Sequence, residues 1–330
     1  MRAIAFERGS ARAVDNAPEP AIGSGEALVR VVRAGLGDAD AAVLRGAWPD
    51  PPGVLGHELV GVVERLAEPV AHPRDQALLG KRVVASIEIA CGKCDLCKRG
   101  LANHCRDLAL LGLSARDGSL AERVAVPVRL LNPVPAPVDD DTAVFALACG
   151  AALHAAQMVR LEGRGFITVL GDSLSALLAA QAMARLNATV RLIGENPERF
   201  GLAERWGIKH RHADDIGRRQ DQDVVVDCTG STQGLDLALR LVRPRGTVIL
   251  GANAVAVPHD PVSTTADLSL IARHEVAVIG ARGGKVQEGV AALADKRFDV
   301  SGLITKRCRL AEAPAALQSL SQHLKIVVEP

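Results

Sequence analysis

Phe166-Ile-Thr-Val-Leu-Gly-Asp-Ser-Leu-Ser-Ala176 runs from an apolar strand through a glycine turn into a helix. Phe166 to Leu170 is short, apolar and partly β-branched, the pattern of a strand buried on both faces. From Ser173 to Asn187 the chain is rich in Ala and Leu and reads as a helix. The turn between them, Gly171-Asp-Ser173-Leu-Ser-Ala176, occupies the place of a G-x-G-x-x-G/A loop. In such a loop the glycines let the backbone approach a pyrophosphate at a helix N-terminus. Gly171 supplies the first glycine, and Ala176 is tolerated at the last position. The middle glycine is Ser173, whose side chain narrows the space but offers a hydroxyl donor. Gly171, Ser173 and Leu174 are the candidate cofactor contacts of this loop.

The pattern continues downstream. Thr189-Val-Arg-Leu-Ile, Asp223-Val-Val-Val-Asp and Thr247-Val-Ile-Leu read as strands, with helical segments at Pro197–Trp206 and Gly234–Val242. Strands alternating with helices imply a parallel sheet with crossover helices, an α/β class. The second strand runs into Gly194-Glu195. A carboxylate near there accepts hydrogen bonds from the adenosine ribose and repels a 2′-phosphate, which favours NAD. Arg199 would suit a 2′-phosphate, so NADP stays open as the less favoured cofactor. Thr229 and Gly230 follow one strand end, and Gly251 and Ala252 the next. Ligands of such sheets bind beyond these carboxyl ends.

Upstream the texture differs. Residues 1 to about 135 are rich in β-branched runs bounded by Gly, Pro and Asp, such as Ala27-Leu-Val-Arg-Val-Val-Arg and Lys81-Arg-Val-Val-Ala-Ser-Ile. Leu131-Asn-Pro-Val-Pro-Ala-Pro-Val is too proline-dense for a helix and reads as a connector. The tail, Leu324-Lys-Ile-Val-Val-Glu-Pro, reads as one more strand.

A length of 330 residues suggests roughly two domains. Basic and acidic residues balance at 39 against 38, which argues against a polyanion-binding surface as the main function. Aromatic content is 2% with no Tyr, so stacking on nucleic-acid bases is disfavoured. Neither nucleic acid nor membrane is an expected partner. The longest apolar candidate, Ala143 to Ala156, falls short of the ~18 residues of a membrane span and carries His154. Glu7 interrupts the N-terminus before a secretory apolar stretch forms, so a cytoplasmic protein is expected.

Of 7 cysteines, four cluster as Cys91-Gly-Lys-Cys94-Asp-Leu-Cys97 and Cys105. Short-spaced cysteines in a chain without a secretory signal point to metal rather than disulfides. Four thiolates close a tetrahedral zinc shell, so this zinc is structural. Lys93, Lys98 and Arg99 offset the negative charge. His104 is an alternative fourth ligand that the four cysteines make unnecessary. Cys149, Cys228 and Cys308 read as core residues.

Several blocks taken together resemble the medium-chain dehydrogenase/reductase superfamily, zinc-type alcohol dehydrogenase branch. They are Ala34-Gly-Leu-Gly-Asp-Ala-Asp40, Gly56-His-Glu58 with Gly61-Val-Val, the cysteine cluster, Asp227-Cys-Thr-Gly-Ser231 and the C-terminal Leu324–Pro330 block. The resemblance spans nearly the whole chain in order. It implies a Rossmann parallel-sheet domain over 151–285 and a GroES-like β-barrel domain over 1–150 and 286–330, with a structural zinc lobe at 88–108. It also implies hydride transfer to or from a small-molecule substrate at a cleft between the domains, in a homodimer or homotetramer. Lys325 matches a basic position near the pyrophosphate.

The departures from that pattern are chemical. Where the family carries a zinc-binding Cys, this chain has Gly37, and the alcohol-binding Ser/Thr is Ala39. The third ligand position falls on Leu147. His57 remains, with Glu58 beside it and Asp40 behind it. A catalytic zinc normally needs three protein ligands, and glycine and leucine donate nothing. The leading expectation is therefore a reductase without catalytic zinc, using Asp40, His57 and Glu58 for proton transfer. Without a Lewis acid to stabilise an alkoxide, simple alcohol oxidation is disfavoured against substrates with a built-in electron sink. Two alternatives stand beside it. One is a zinc dehydrogenase with ligands rearranged onto Asp38 or Cys149. The other is a non-catalytic homologue, motivated by erosion at both the zinc pocket and the glycine loop.

Overall fold

Gly165–Leu170 forms an inner strand of a six-stranded sheet. Every pairing in that sheet is parallel. Its spatial order is Lys209–His212, Ala188–Gly194, Gly165–Leu170, Gln222–Asp227, Val242–Leu250, Ala277–Gly280. The strand order reverses beside Gly165–Leu170, which is where doubly wound sheets open a ligand crevice at their carboxyl ends. Leu170 pairs with Ile193 and Asp227, and Asp227 with Leu250, so these strand ends lie level. The α/β expectation and its parallel sheet hold.

Our computed structural model describes residues 1–48, 50–70, 72–217, 219–251 and 266–330. Ala252, a candidate cofactor contact, lies outside the described residues. Two units emerge. The first comprises Met1–Leu147, Val290–Asp295 and Val300–Pro330; the second, Ala148–Gly289 and Lys296–Asp299.

The second unit holds the parallel sheet. Leu174–Ala184 is a helix buried over Ala176 to Met183, and it packs on the strands on either side of it in sequence. Two strands were not expected. Lys209–His212 pairs with Arg191 to Gly194 although its sequence is Lys-His-Arg-His. Ala277–Gly280 closes the other edge. The crossover between Lys209–His212 and Gln222–Asp227 contains, among the described residues, one 3-10 turn at Ala213–Asp215 and no α-helix.

In the first unit a seven-stranded sheet is built around Glu26–Leu36. This strand pairs antiparallel with Glu58–Leu66, with Arg123–Pro127 and, at its C-terminal end, with Lys325–Glu329. The chain thus returns its last strand to the sheet it began. Leu36, Leu55, Leu59, Val63, Ile326 and Val328 share one apolar core there. Leu131–Pro133, expected as connector, is a short strand pairing with Val83 to Ala85. Its one proline, Pro133, sits at a sheet edge, where a missing N–H costs no ladder bond. Glu88–Ile89, Ala109–Leu111 and Ala115–Arg116 form a separate small sheet flanking the four clustered cysteines. Among the described residues, no helix is long and apolar enough to cross a membrane.

Candidate active site and zinc lobe

Strand pairing assembles the first site. In the central sheet Gly35 stands opposite Glu58 on one side and Val327 on the other. That register delivers Lys325, at the start of the last strand, to Glu58. Lys325 Nζ donates to Glu58 Oε1 at 2.6 Å and Oε2 at 2.5 Å. The two residues are 1% and 5% exposed. Gly35 leaves room for this pair: a Cβ there would fall 1.8 Å from Glu58 Oε2. The face of the buried Phe145 ring lies 5.8 Å from the Lys325 nitrogen, within reach of a cation–π attraction.

His57 and Asp40 complete the cluster. Asp40 belongs to the short helix Asp38–Leu44, and its Oδ2 accepts from the Gly37 backbone N–H at 3.0 Å. The same oxygen lies 3.1 Å from His57 Nδ1, and His57 Nε2 lies 3.9 Å from Glu58 Oε1. Asp40 is fully buried and His57 nearly so. Among the described residues, Asp40 Oδ1 and His57 Nδ1 have no aligned hydrogen-bond partner. The 3.1 Å approach is thus a close charge contact rather than a formed bond. Buried polar atoms are nearly always satisfied, and these two orphans lie on the facing groups of one cluster. Burial works against a charged His57, but Asp40 and then Glu58 outweigh burial and the opposing Lys325, and its pKa is raised above 6.5.

The structure thus brings Asp40, His57 and Glu58 together and adds a residue that had been placed elsewhere. Lys325, matched to a pyrophosphate contact by resemblance, is a buried partner of Glu58. Sequence separation hid the pair, since 267 positions divide the two residues. Asp38 does not join them; it is exposed in the first turn of its helix, where a carboxylate suits the helix dipole.

In the second unit Gly171 adopts φ +100°, and Ser173 caps the following helix through its Oγ, 3.4 Å from the Ala176 amide. Leu174 opens that helix. Thr229 turns its N–H and hydroxyl onto Asp227 Oδ1 at 2.9 and 2.7 Å, and Gly230 follows at φ +66°. Burial raises the Asp227 pKa in spite of these bonds. The Gly251 amide donates to the Asp227 carbonyl at 2.8 Å. Glu195 is exposed, while Arg199 is ion-paired to Asp172, a residue the sequence reading did not single out. A helix N-terminus, a glycine in the left-handed region and level strand ends fit a dinucleotide pyrophosphate.

Back in the first unit, Cys91, Cys94, Cys97 and Cys105 place their sulfurs within 4.8 Å of one another. Zinc–sulfur bonds of about 2.3 Å put tetrahedral sulfurs about 3.8 Å apart, so the set fits zinc. Among the described residues it is the one group of three or more His, Cys, Asp or Glu side chains converged this closely. His104 is outside it and exposed. Backbone amides aim at the sulfurs. Those of Arg106 and Cys97 pull the Cys94 thiol down to about 6, and those of Lys93 and Cys94 lower Cys91. Burial and neighbouring thiols push Cys97 up to about 12. Arg106 forks onto Asp95 at 2.6 and 2.8 Å, closing the lobe.

Residues 23–136 match the family model for the alcohol dehydrogenase GroES-like domain, and residues 176–297 that for zinc-binding dehydrogenase. An uncharacterized zinc-type alcohol dehydrogenase-like protein of Haemophilus influenzae is 27% identical, over 98% of this chain and 96% of its own. This chain belongs to the medium-chain dehydrogenase/reductase superfamily. A sorbitol dehydrogenase of Halalkalibacterium halodurans is 26% identical over 96% of this chain and 95% of its own. The crystal structure of a putative zinc-binding dehydrogenase from Sinorhizobium meliloti, bound to NADP, superposes with a TM-score of 0.89 at 25% identity, covering 100% and 99% of the two chains. As a medium-chain dehydrogenase/reductase, the protein is an NAD(P)-dependent oxidoreductase with a Rossmann and a GroES-like domain.

Proposed function

We propose that this medium-chain enzyme works without a catalytic metal and reduces small molecules with an activated C=C, C=N or C=O bond. One observation carries the reading. Lys325 Nζ is the nearest atom to a Cβ built on Gly37, at 3.9 Å. Gly37 is the position that the resemblance assigns to a zinc-binding cysteine. A fixed ammonium, held by both oxygens of Glu58, thus lies 3.9 Å from the point at which a cysteine side chain would begin its reach for a metal. The remaining protein donors, His57 and Glu58, are one imidazole and a carboxylate already committed to that ammonium.

Nicotinamide, when bound, supplies the hydride. The protein's own groups supply the rest. His57, whose protonated form Asp40 and Glu58 favour, donates one proton; hydride plus that proton completes the reduction of a neutral C=C, C=N or C=O bond, and an iminium ion takes the hydride alone. Lys325 offers fixed positive charge to a substrate oxygen or nitrogen as negative charge grows on it. Such preorganised charge is the largest contribution in many enzymes. Glu58 holds Lys325 in place, and the Asp40 charge beside Nδ1 favours the protonated imidazole. Gly171, Ser173, Leu174, Thr229, Gly230 and Gly251 are the proposed cofactor contacts. The four-cysteine lobe is proposed to hold one structural zinc, and the assembly to be a homodimer or homotetramer.

A substrate panel tests this. Conjugated enones, iminium ions and aldehydes are incubated with NADH or NADPH, before and after treatment with a chelator that leaves the cysteine lobe loaded. Chelator-insensitive reduction of the activated substrates is expected. Oxidation of simple primary alcohols that needs added zinc would reject the proposal.

A further inference from the structure

Asp172 is the second residue of the glycine loop, and its carboxylate reaches the turn that follows Ala188–Gly194. Oδ2 accepts from the Glu195 amide at 2.8 Å and the Asn196 amide at 2.7 Å. Oδ1 lies 3.0 Å from Arg199 Nη1, and that nitrogen also donates to the Asp172 carbonyl at 3.0 Å. The side chains of Asp172 and Arg199 are 15% and 18% exposed, so the pair is largely shielded. Gly194 is required by this arrangement, since a Cβ there would fall 2.6 Å from Asp172 Oδ2. Two backbone amides and a guanidinium converging on one point form an anion pocket. Here the chain fills it with its own carboxylate.

In Rossmann folds the acid near the end of the second strand meets the ribose hydroxyls, and an arginine nearby accommodates a 2′-phosphate. In this chain the acid at the strand end, Glu195, is exposed, and the acid of the glycine loop, Asp172, pairs with the arginine. We infer that Asp172 is the specificity-determining residue that selects NAD(H) over NADP(H), by occupying the phosphate pocket and pairing with Arg199. The inference rests on the nicotinamide-dependent reading above. An unphosphorylated ribose keeps a carboxylate acceptor for its hydroxyls. A 2′-phosphate brings negative charge against a carboxylate that already holds both amides and the guanidinium. The fold itself accepts either dinucleotide, so selection falls to residues such as these. Glu195, the acid expected from the sequence, contributes its backbone amide to the pocket instead.

Direct binding tests this without turnover. The full-length protein is titrated with NADH and with NADPH while tryptophan fluorescence is followed, and folding is checked by thermal melting. Wild type is expected to bind NADH at least tenfold more tightly than NADPH. Asp172→Gly releases the amides and Arg199, and should lower the NADPH Kd at least tenfold. Adding Arg199→Ala to it should abolish that gain. Asp172→Asn, which keeps the shape and removes the charge, should narrow the preference by a smaller factor. Equal wild-type affinity for both dinucleotides would overturn the inference, as would an unchanged preference in both folded Asp172 variants. No saturable binding of either dinucleotide by folded protein would instead reject the nicotinamide reading, and the inference with it.

Discussion

Both carboxylate oxygens of Glu58 bond the Lys325 ammonium, in a setting where the two side chains are 5% and 1% exposed. Removing one partner of such a buried pair typically costs about 3–5 kcal/mol, because the other charge is left uncompensated. Lys325→Met should therefore lower the melting temperature by roughly 10 °C. Combining it with Glu58→Gln should recover most of that loss. Activity should behave differently. Losing a preorganised charge costs about a hundred- to thousandfold in kcat, and the double variant should not regain it. A double variant that restored turnover along with stability would show the pair to be structural only.

Gly35 and Gly37 offer a matched comparison. A Cβ on Gly35 would overlap Glu58 Oε2 at 1.8 Å, whereas one on Gly37 would meet nothing nearer than Lys325 Nζ at 3.9 Å. Gly35→Ala should displace the ion pair, with overpacking alone costing about 1–3 kcal/mol, and turnover should fall with it. Gly37→Ala, on extended backbone at φ −155°, should melt like wild type. Thermal melting of the two single variants decides this, and equal melting temperatures would count against the geometry described.

The His57 pKa sets the pH profile. Asp40 and Glu58 hold it above 6.5 in the folded protein against the effect of burial. A raised folded-state pKa contributes stability that is complete below the unfolded value and is lost as pH rises through the folded one. In the proposed mechanism the same proton serves catalysis. The reductive kcat/KM should be level at low pH and fall as pH rises through a value above 6.5, and His57→Gln should remove that limb. A reductive rate that climbs through the same interval would remove His57 as the donor.

The cysteine lobe predicts an order of reactivity. In metal-stripped protein Cys94, at about 6, is mostly thiolate at neutral pH, while Cys97, at about 12, is not. Alkylation follows the thiolate fraction, so iodoacetamide should label Cys94 ahead of Cys97. Zinc should protect all four cysteines. Peptide mapping that found the same labelling with and without zinc would argue against a four-thiolate site.

The sequence carried the two-domain plan, the parallel sheet and the cysteine cluster because each is a local pattern. Ile167–Leu170 is buried on both faces, as a doubly covered strand must be, with the Thr168 hydroxyl satisfied by Gln222, whereas Phe166 at its start is 52% exposed against the sequence expectation. Cys91 to Cys105 are close along the chain, so their convergence needs only one small lobe. Lys209–His212 was illegible because an edge strand needs no apolar residue, and Lys-His-Arg-His has none. The active cluster was half legible. Asp40 and His57 follow from neighbouring motifs, but Lys325 reaches Glu58 only through the register of three strands. Asp172 was missed for a related reason. Its role lies in Gly194, which leaves space for it, and in the Arg199 side chain that answers it.

The central proposal is that Lys325 supplies the positive charge that a reactive metal supplies in zinc-type relatives. Counting zinc atoms per chain in purified, catalytically active enzyme addresses this most directly. One zinc per chain, lost only when the cysteine lobe is dismantled, is the expected result. Two per chain, with the second released and turnover abolished together by mild chelation, would contradict it.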